Sequence, residues 1–162
     1  MHTIQQMPLF RLNRFLIQAN ALNGRLCEAQ FGLTRREWSV LAALANSEGL
    51  LSSELAAEAQ LDRARTSKAL TSLETKGWIC RTPVAGDRRR IAITLTPQGR
   101  RIYAQVQPAV AQLNLDLLSA LAGPQKRQLD EILALLQARV QELARQERYA
   151  SLPRVDRGRQ GG

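Results

Sequence analysis

The stretch Ser52–Gly77, SSELAAEAQLDRARTSKALTSLETKG, predicts two short helices joined by a tight turn. Ser52 and Asp62 are the expected N-caps of these helices, because short oxygen-bearing side chains accept hydrogen bonds from the free N–H groups at a helix start. Gly77 is the expected end of the second helix. Gln60 stands where such a turn often has glycine, which is a small departure. The pattern is typical of a helix-turn-helix.

The period of the apolar residues changes after Gly77. The runs WICRTPV (Trp78–Val84) and RIAITLT (Arg90–Thr96) are rich in β-branched residues and flank AGDR, which predicts a β-hairpin. Leu50–Leu51 is short and apolar and is predicted as a further strand. A hairpin placed directly after a helix-turn-helix predicts a wing.

Helical periodicity dominates both ends of the chain. A first helix is predicted from about Leu9 to Gln30, and the second begins with a capping box formed by Thr34 and Glu37. Thr96-Pro97 begins a long helix, and Gly123-Pro124 is expected to break the chain before the last helix. The predicted fold class is mainly α with a small β-wing, in the order α-α-β-α-α-β-β-α-α.

Positive charge is concentrated in the predicted helix-turn-helix and wing. The chain of 162 residues has a formal net charge of +9. From Asp62 to Arg90, eight basic residues stand against three acidic ones, so that this segment alone carries +5. Such an excess indicates a polyanionic partner, most simply nucleic acid.

The second helix of the helix-turn-helix has an apolar face and a face rich in hydrogen-bond donors. Thr66, Ala69, Leu70 and Leu73 are predicted to pack inward. An outward face of arginine, lysine and hydroxyl groups suits the major groove, although a solvated helix face can carry the same charges. The predicted DNA contacts from this helix are Arg63, Arg65, Ser67, Lys68, Thr71 and Ser72.

Two motifs resemble the MarR-type family of transcriptional regulators. LETKGWICR (Leu73–Arg81) looks like the family's recognition-helix exit, and DRRRIAITLT (Asp87–Thr96) fits its wing signature D-x-R-x5-L-T. The resemblance extends from Leu9 to about Arg145. It implies a homodimeric regulator, usually a repressor, on a pseudo-palindromic DNA operator, with the recognition helix in the major groove and the wing in the minor groove.

The resemblance also implies a separate role for each charged residue of the wing. It implies that Asp87 orients Arg89, which enters the minor groove, where a narrow groove attracts a guanidinium group. Arg88 and Arg90 are expected to meet phosphates. Ile91, Ile93 and Leu95 are expected to anchor the wing to the core.

The resemblance further implies three segments: residues 1–33 form an N-terminal dimerisation helix, 34–96 the DNA-binding lobe and 97–149 the C-terminal dimerisation helices. Residues 150–162 are expected to be a disordered basic tail, because this end of the chain is polar, Gly-rich and basic. The apolar stripes Ile102–Leu121 and Leu129–Leu143 are long for so small a DNA-reading unit, and a two-fold partner would bury them. Packing of these two helices on each other is the alternative.

An effector site is implied by the same resemblance, because the family commonly responds to small aromatic or phenolic anions. Trp38 could supply an apolar wall, with Arg11, Arg14 and Asn20 as polar anchors. Ordinary core packing of Trp38 remains the alternative.

The two cysteines, Cys27 and Cys80, match no metal-ligand or CxxC spacing. Both are expected to be reduced and mostly buried. A redox-sensing regulator centred on Cys27 remains an alternative function.

Other function classes find little support in the sequence. The single histidine, His2, is close to the N-terminus, and no phosphate-binding loop, nucleophile elbow or carboxylate–histidine cluster occurs, so that no enzyme, metal or cofactor is expected. Without an apolar run of about 18 residues or a secretory signal, the expected location is the cytoplasm, with no membrane partner. A non-specific architectural nucleic-acid-binding protein remains an alternative, because it would share the basic charge.

Overall fold

Seven α-helices and a three-stranded sheet form the computed structural model, which describes residues 3–47, 49–84 and 87–151 and, in these ranges, all side chains except those of Arg88, Arg89 and Tyr149. The predicted order is confirmed, with a short 3₁₀ helix at Ile4–Gln6 and α7 in addition. The helices are α1 (Pro8–Phe31), α2 (Arg35–Asn46), α3 (Ser52–Glu58), α4 (Arg63–Thr75), α5 (Pro97–Leu118), α6 (Gly123–Arg145) and α7 (Glu147–Ala150); the strands are β1 (Leu50–Leu51), β2 (Ile79–Val84) and β3 (Asp87–Leu95).

The helix-turn-helix consists of α3 and α4. Asp62 caps α4 as predicted, since its Oδ1 accepts from the N–H of Arg65 at 2.7 Å. The prediction that Ser52 caps α3 is wrong by one residue. Leu51 is the N-cap, and its N–H donates to the Glu54 carboxylate at 2.8 Å, which satisfies the donor without a serine hydroxyl. In the turn, Gln60 has a φ of 53°.

The wing is an antiparallel sheet in the order β1-β3-β2. Strands β2 and β3 pair from Ile79↔Leu95 outward, with an irregularity at Pro83/Val84. The two residues of β1 pair as Leu50↔Ile93 and Leu51↔Ala92, so that the base of the wing is hydrogen-bonded to the residues directly before α3. Residues 85 and 86 of the predicted turn lie outside the described residues.

The core combines apolar side chains from α1 to α5 and from both long strands. The predicted inward face of α4 is confirmed, with Thr66, Ala69, Leu70 and Leu73 all buried. Ile93 and Leu95 are buried as expected, but Ile91 is 38% exposed. The expectation for Ile91 is wrong because it lies beyond the end of β1, where the core no longer covers the hairpin.

Helix α5 begins as predicted at the Thr96 cap, whose hydroxyl accepts from the N–H of Gly99 at 3.0 Å. The expected break at Gly123-Pro124 is displaced: these residues form the first turn of α6, where proline needs no N–H partner, and the chain turns at 119–122 instead.

The chain divides into two compact units, Met1–Leu113 and Asn114–Gly162. The predicted functional divisions at residues 33 and 96 both fall inside the first unit, since α5 contributes Val106 to its core. Residues 152–162 of the predicted basic tail lie outside the described residues.

Candidate nucleic-acid interface

Packing of α4 turns one face of the helix outward. We call five of its exposed side chains the reading face: Arg63, Arg65, Ser67, Lys68 and Thr71. Thr66 is buried and is not part of this face; its hydroxyl donates to the carbonyl of Asp62 at 2.8 Å. Arg63 and Lys68 form no ion pair within the described part of the chain, so that both cations are available to a polyanion.

Two acidic side chains border the reading face, and each is paired with an arginine. The Arg65 Nε lies 3.2 Å from Asp62 Oδ2, with both side chains more than half exposed. The Arg81 Nε lies 3.0 Å from Glu74 Oε2. Exposed pairs of this kind are weak and can exchange for phosphate contacts.

Ser72 does not lie on the outward face predicted for it. The side chain is half-buried, and its Oγ donates to Glu37 Oε1 at 2.7 Å. Its position on the helix is next to Leu73, on the flank that turns toward α2. The hydroxyl is therefore used inside the fold and leaves the set of predicted DNA contacts.

Glu37 is a buried carboxylate that the sequence identified only as half of a capping box. The box is confirmed, with the Thr34 N–H donating to Glu37 Oε2 at 2.7 Å. The same carboxylate also accepts from Lys76 Nζ at 2.7 Å and is only 3% exposed. Burial favours a higher pKa, but hydrogen bonds from Lys76, Ser72 and Thr34 outweigh it and hold the pKa of Glu37 below its usual value.

The wing brings a second set of basic groups next to α4. Asp87 and Arg90 are exposed in β3, and Asp87 interacts with another residue. The side chains of Arg88 and Arg89 lie outside the described residues, and so does the predicted pairing of Asp87 with Arg89.

A cleft of about 590 Å³ lies between α3, α4 and the wing; we call it the wing cleft. Sequence reasoning missed Ser52, Ser53 and Arg81 as members of this site, although the position of Arg81 in the recognition-helix exit motif was a signal. The wing cleft is lined by Leu51, Ser52, Ser53, Arg63, Ser67, Arg81, Arg90 and Ile91.

The predicted effector residues are only partly brought together. Asn20 and Trp38 line a cavity of about 290 Å³, the Trp38 cavity, whereas Arg11 and Arg14 are exposed on α1 and do not line it. The Trp38 ring stacks on Tyr103 at a centroid distance of 5.5 Å and is 8% exposed, so that it also serves the core. The other lining residues are Asn23, Arg35, Ser39, Ala42, Ala43, Asn46, Glu58, Ala59 and Gln60.

The two cysteines differ in environment. Cys27 is fully buried, with its Sγ 3.6 Å from Asn23 Oδ1, whereas Cys80 is exposed, which corrects the expectation that both are buried. Burial and the negative charge of Glu28 raise the pKa of Cys27. A raised pKa reduces the thiolate fraction, the opposite of what oxidant-sensing thiols require.

Neither a membrane span nor a metal centre is found in the parts of the chain that the structure describes. No helix there is long and apolar enough to cross a bilayer. No three His, Cys, Asp or Glu side chains there come together as metal ligands.

The fold and the basic reading face define a winged helix-turn-helix protein. A family model described as the MarR family matches residues 31–90. A putative transcriptional regulatory protein for the hcr operon of Thauera aromatica is 32% identical over 127 residues, which is 78% of this chain and 76% of that protein. The HTH-type transcriptional repressor Rv2887 of Mycobacterium tuberculosis is 31% identical over 105 residues, 65% of this chain and 76% of that protein.

Among solved structures, a MarR-family regulator from Silicibacter pomeroyi superimposes with a TM-score of 0.72 at 26% identity, covering 90% of this chain and 95% of that one. The chain belongs to the MarR family. It is a DNA-binding transcriptional regulator and not an enzyme.

Proposed function

We propose that the protein is a homodimeric repressor that binds a pseudo-palindromic operator, with α4 in the major groove and the wing in the minor groove. The observation that carries this proposal is the continuity of the two basic surfaces. Arg63 and Ser67 belong both to the reading face and to the wing cleft, where Arg90 lies opposite them. A DNA duplex that lies along α4 can therefore contact the reading face and the wing at the same time, because the basic surface is continuous between them.

The reading face is tested by removing one of its cations. Arg63→Ala should weaken binding to the operator by about five- to 150-fold, the range of 1–3 kcal/mol expected for a good base contact. The measurement is fluorescence anisotropy with an operator selected from random duplexes by the wild-type protein. Arg127→Ala, which removes the same charge from the exposed surface of α6, is the matched control and should change the affinity less than twofold.

Competition with excess unrelated duplex separates a specific regulator from an architectural protein. A regulator keeps its operator complex, whereas a non-specific binder loses it. Equal affinity for both duplexes, or equal effects of the Arg63 and Arg127 substitutions, would contradict the proposal.

Within the wing, we assign Arg89 to the minor groove, with Asp87 orienting it and Arg88 and Arg90 at phosphates. The support is the wing signature together with the backbone position of Arg89 in β3, three residues beyond Ala92, where β1 ends. Arg89→Ala should weaken operator binding tenfold or more and leave folding intact. An unchanged affinity in a gel-shift titration would refute the assignment.

A second copy of the chain is the proposed cover for the apolar side chains exposed on α1 and α6. On α1, Phe15 is 53% exposed and Ile17 is 60% exposed; on α6, Leu136 is 46% exposed and Val140 is 64% exposed. Large apolar surfaces of this kind mark interaction sites, and closed two-fold dimers are the commonest assembly.

Light scattering tests the dimer. Leu136→Glu should yield monomers at micromolar concentration, because an unpaired carboxylate would be buried in the interface. Ala138→Glu places the same charge about 200° around the helix and should leave the dimer intact. A dimer that survives Leu136→Glu would exclude this face of α6 from the interface.

The Trp38 cavity is the proposed site for a small aromatic or phenolic anion that releases the operator. Its volume is at the lower end for ligand pockets, its wall includes the Trp38 ring, and Arg35 supplies a cation in place of Arg11 and Arg14. With 4-hydroxybenzoate as the probe, operator affinity should fall five- to 150-fold. Arg35→Gln should abolish the response, whereas Arg36→Gln, which removes a charge outside the cavity lining, should keep it.

A further inference from the structure

The buried carboxylate of Glu37 is connected to α4 by two separate hydrogen bonds. A capping box needs one carboxylate oxygen, and Oε2 serves it by accepting from the Thr34 N–H at 2.7 Å. The other oxygen, Oε1, accepts from Ser72 Oγ and from Lys76 Nζ, each at 2.7 Å. Both donors lie at the C-terminal end of α4, 35 and 39 residues away in sequence. The carboxylate therefore joins the start of α2 to the end of the recognition helix.

Lys76 extends this connection to two more elements. Its Nζ donates to the carbonyl of Gly32, directly after α1, at 3.0 Å, and lies 5.0 Å from the centre of the Trp78 ring, just before β2. The lysine is also the C-cap of α4, where a cation meets the negative end of the helix dipole. One ammonium group thus contacts the junctions of α1, α2, α4 and the wing.

The hydrogen bonds of Glu37 and Lys76 can fix the orientation of α4, which apolar packing alone does not. Ala69, Leu70 and Leu73 hold α4 against the core by apolar contact, which does not depend on direction. Arg63 is 13 residues from Lys76, about 20 Å along the helix. A tilt of about 10° at the Lys76 end would therefore move Arg63 by roughly 3.5 Å, more than a hydrogen-bond length.

We propose that Glu37 and Lys76 are positioning residues for operator recognition: their ion pair sets the orientation of α4 against α2, and so the angle at which Arg63, Ser67 and Lys68 meet the bases. Neither residue needs to touch DNA for this. The inference rests on the proposed placement of α4 in the major groove. Glu37 is buried and Lys76 is partly exposed. Ion pairs drawn into a protein contribute little net stability, but their hydrogen bonds have a defined direction, which fits a positioning role.

The decisive variant is the double substitution Glu37→Gln with Lys76→Met. Both changes preserve side-chain size, and removing both charges together leaves no uncompensated ion in the core, so that the protein should fold. The matched control is Arg139→Met with Glu142→Gln, which removes an exposed ion pair of 2.6 Å from α6. Thermal unfolding and circular dichroism verify the fold of each protein.

The readout is discrimination, defined as the affinity for the selected operator divided by the affinity for an unrelated duplex. The double variant should lose discrimination tenfold or more, while its affinity for the unrelated duplex and the salt dependence of that affinity stay at wild-type values. The control should match the wild type in all three quantities.

Two results would overturn the inference. Discrimination within threefold of the wild type would show that the ion pair does not position α4. Equal losses on both duplexes, with a salt slope reduced by about one, would make Lys76 a phosphate contact. Failure of the wild-type protein itself to select an operator would instead refute the proposed function, and the inference with it.

Discussion

Gly99→Ala should destabilise the protein severely, because the first turn of α5 lies directly against the backbone of Trp78. A Cβ at Gly99 would lie 1.9 Å from the Trp78 carbonyl oxygen and 2.9 Å from its carbonyl carbon. Contact between a carbon and an oxygen needs about 3.3 Å, so that the two segments must separate by roughly 1.4 Å.

That separation acts on two hydrogen bonds that join the wing to α5. The Thr96 N–H donates to the Trp78 carbonyl at 3.0 Å, and the Thr96 hydroxyl donates to the Gly77 carbonyl at 2.7 Å. Loss of both hydrogen bonds should lower the free energy of unfolding by about 1–3 kcal/mol, and overpacking should lower it further by about 1–3 kcal/mol. The sum of about 2–6 kcal/mol corresponds to a lower Tm, on the order of 10 °C.

Differential scanning calorimetry at one fixed protein concentration measures this loss, and two other glycines are its controls. Gly77 has a φ of +70° with no close neighbour, so that Gly77→Ala should cost only about 1–2 kcal/mol of backbone strain. Gly123→Ala meets only the flexible end of Arg127 at 3.8 Å and should be nearly neutral. A loss for Gly99→Ala no larger than that for Gly77→Ala would refute the steric reasoning.

Three further predictions concern the turn, the buried carboxylate and the thiols. Gln60→Gly should raise the Tm by about 1–4 °C, because relief of the φ of 53° outweighs the added chain entropy, whereas Gln60→Ala should give no gain. The folded-state pKa of Glu37 lies below its usual 4.5, so that its contribution to stability is present above pH 4.5 and is lost as the pH falls through the folded-state pKa. In urea titrations, the difference in free energy of unfolding between wild type and Glu37→Gln should therefore become smaller at acidic pH. A difference that does not change with pH would show that the ionisation of Glu37 does not contribute to stability. In native protein, iodoacetamide should label Cys80 and spare Cys27, and mass spectrometry showing fast labelling of Cys27 would contradict its burial.

Local chemistry made much of the fold predictable. The caps at Thr34, Asp62 and Thr96 each act within three residues, so that sequence spacing alone contains the information. The inward face of α4 follows from the helical period in the same way. The N-cap of α3 was misplaced because Glu54 satisfies the Leu51 N–H, a bond that competes with the serine at the next position.

The candidate site was less predictable where it depends on distant pairs. Ser72 looked available for DNA because nothing local uses its hydroxyl; its acceptor, Glu37, is 35 residues away. Lys76 entered the count of basic charge for the same reason, although its charge is paired inside the fold. Arg81 and the two serines of the first turn of α3, Ser52 and Ser53, join the wing cleft only after β1 pairs with β3.

Within the described residues, β1 pairs only with Ala92 and Ile93 of β3, and residues 87–91 of β3 have no paired strand on that side. The described pairing of β1 ends at Ala92, and Arg88 lies four residues further out, about 13 Å along an extended strand. A rotation of about 10° at Ala92 would move that end by roughly 2 Å, and the width of the minor groove varies between DNA sequences. In the proposed complex, the core holds α4 in the major groove, whereas the outer part of β3 is paired only with β2. The wing can therefore adjust to minor grooves of different width, so that one repressor accepts operators whose flanking sequences differ in shape.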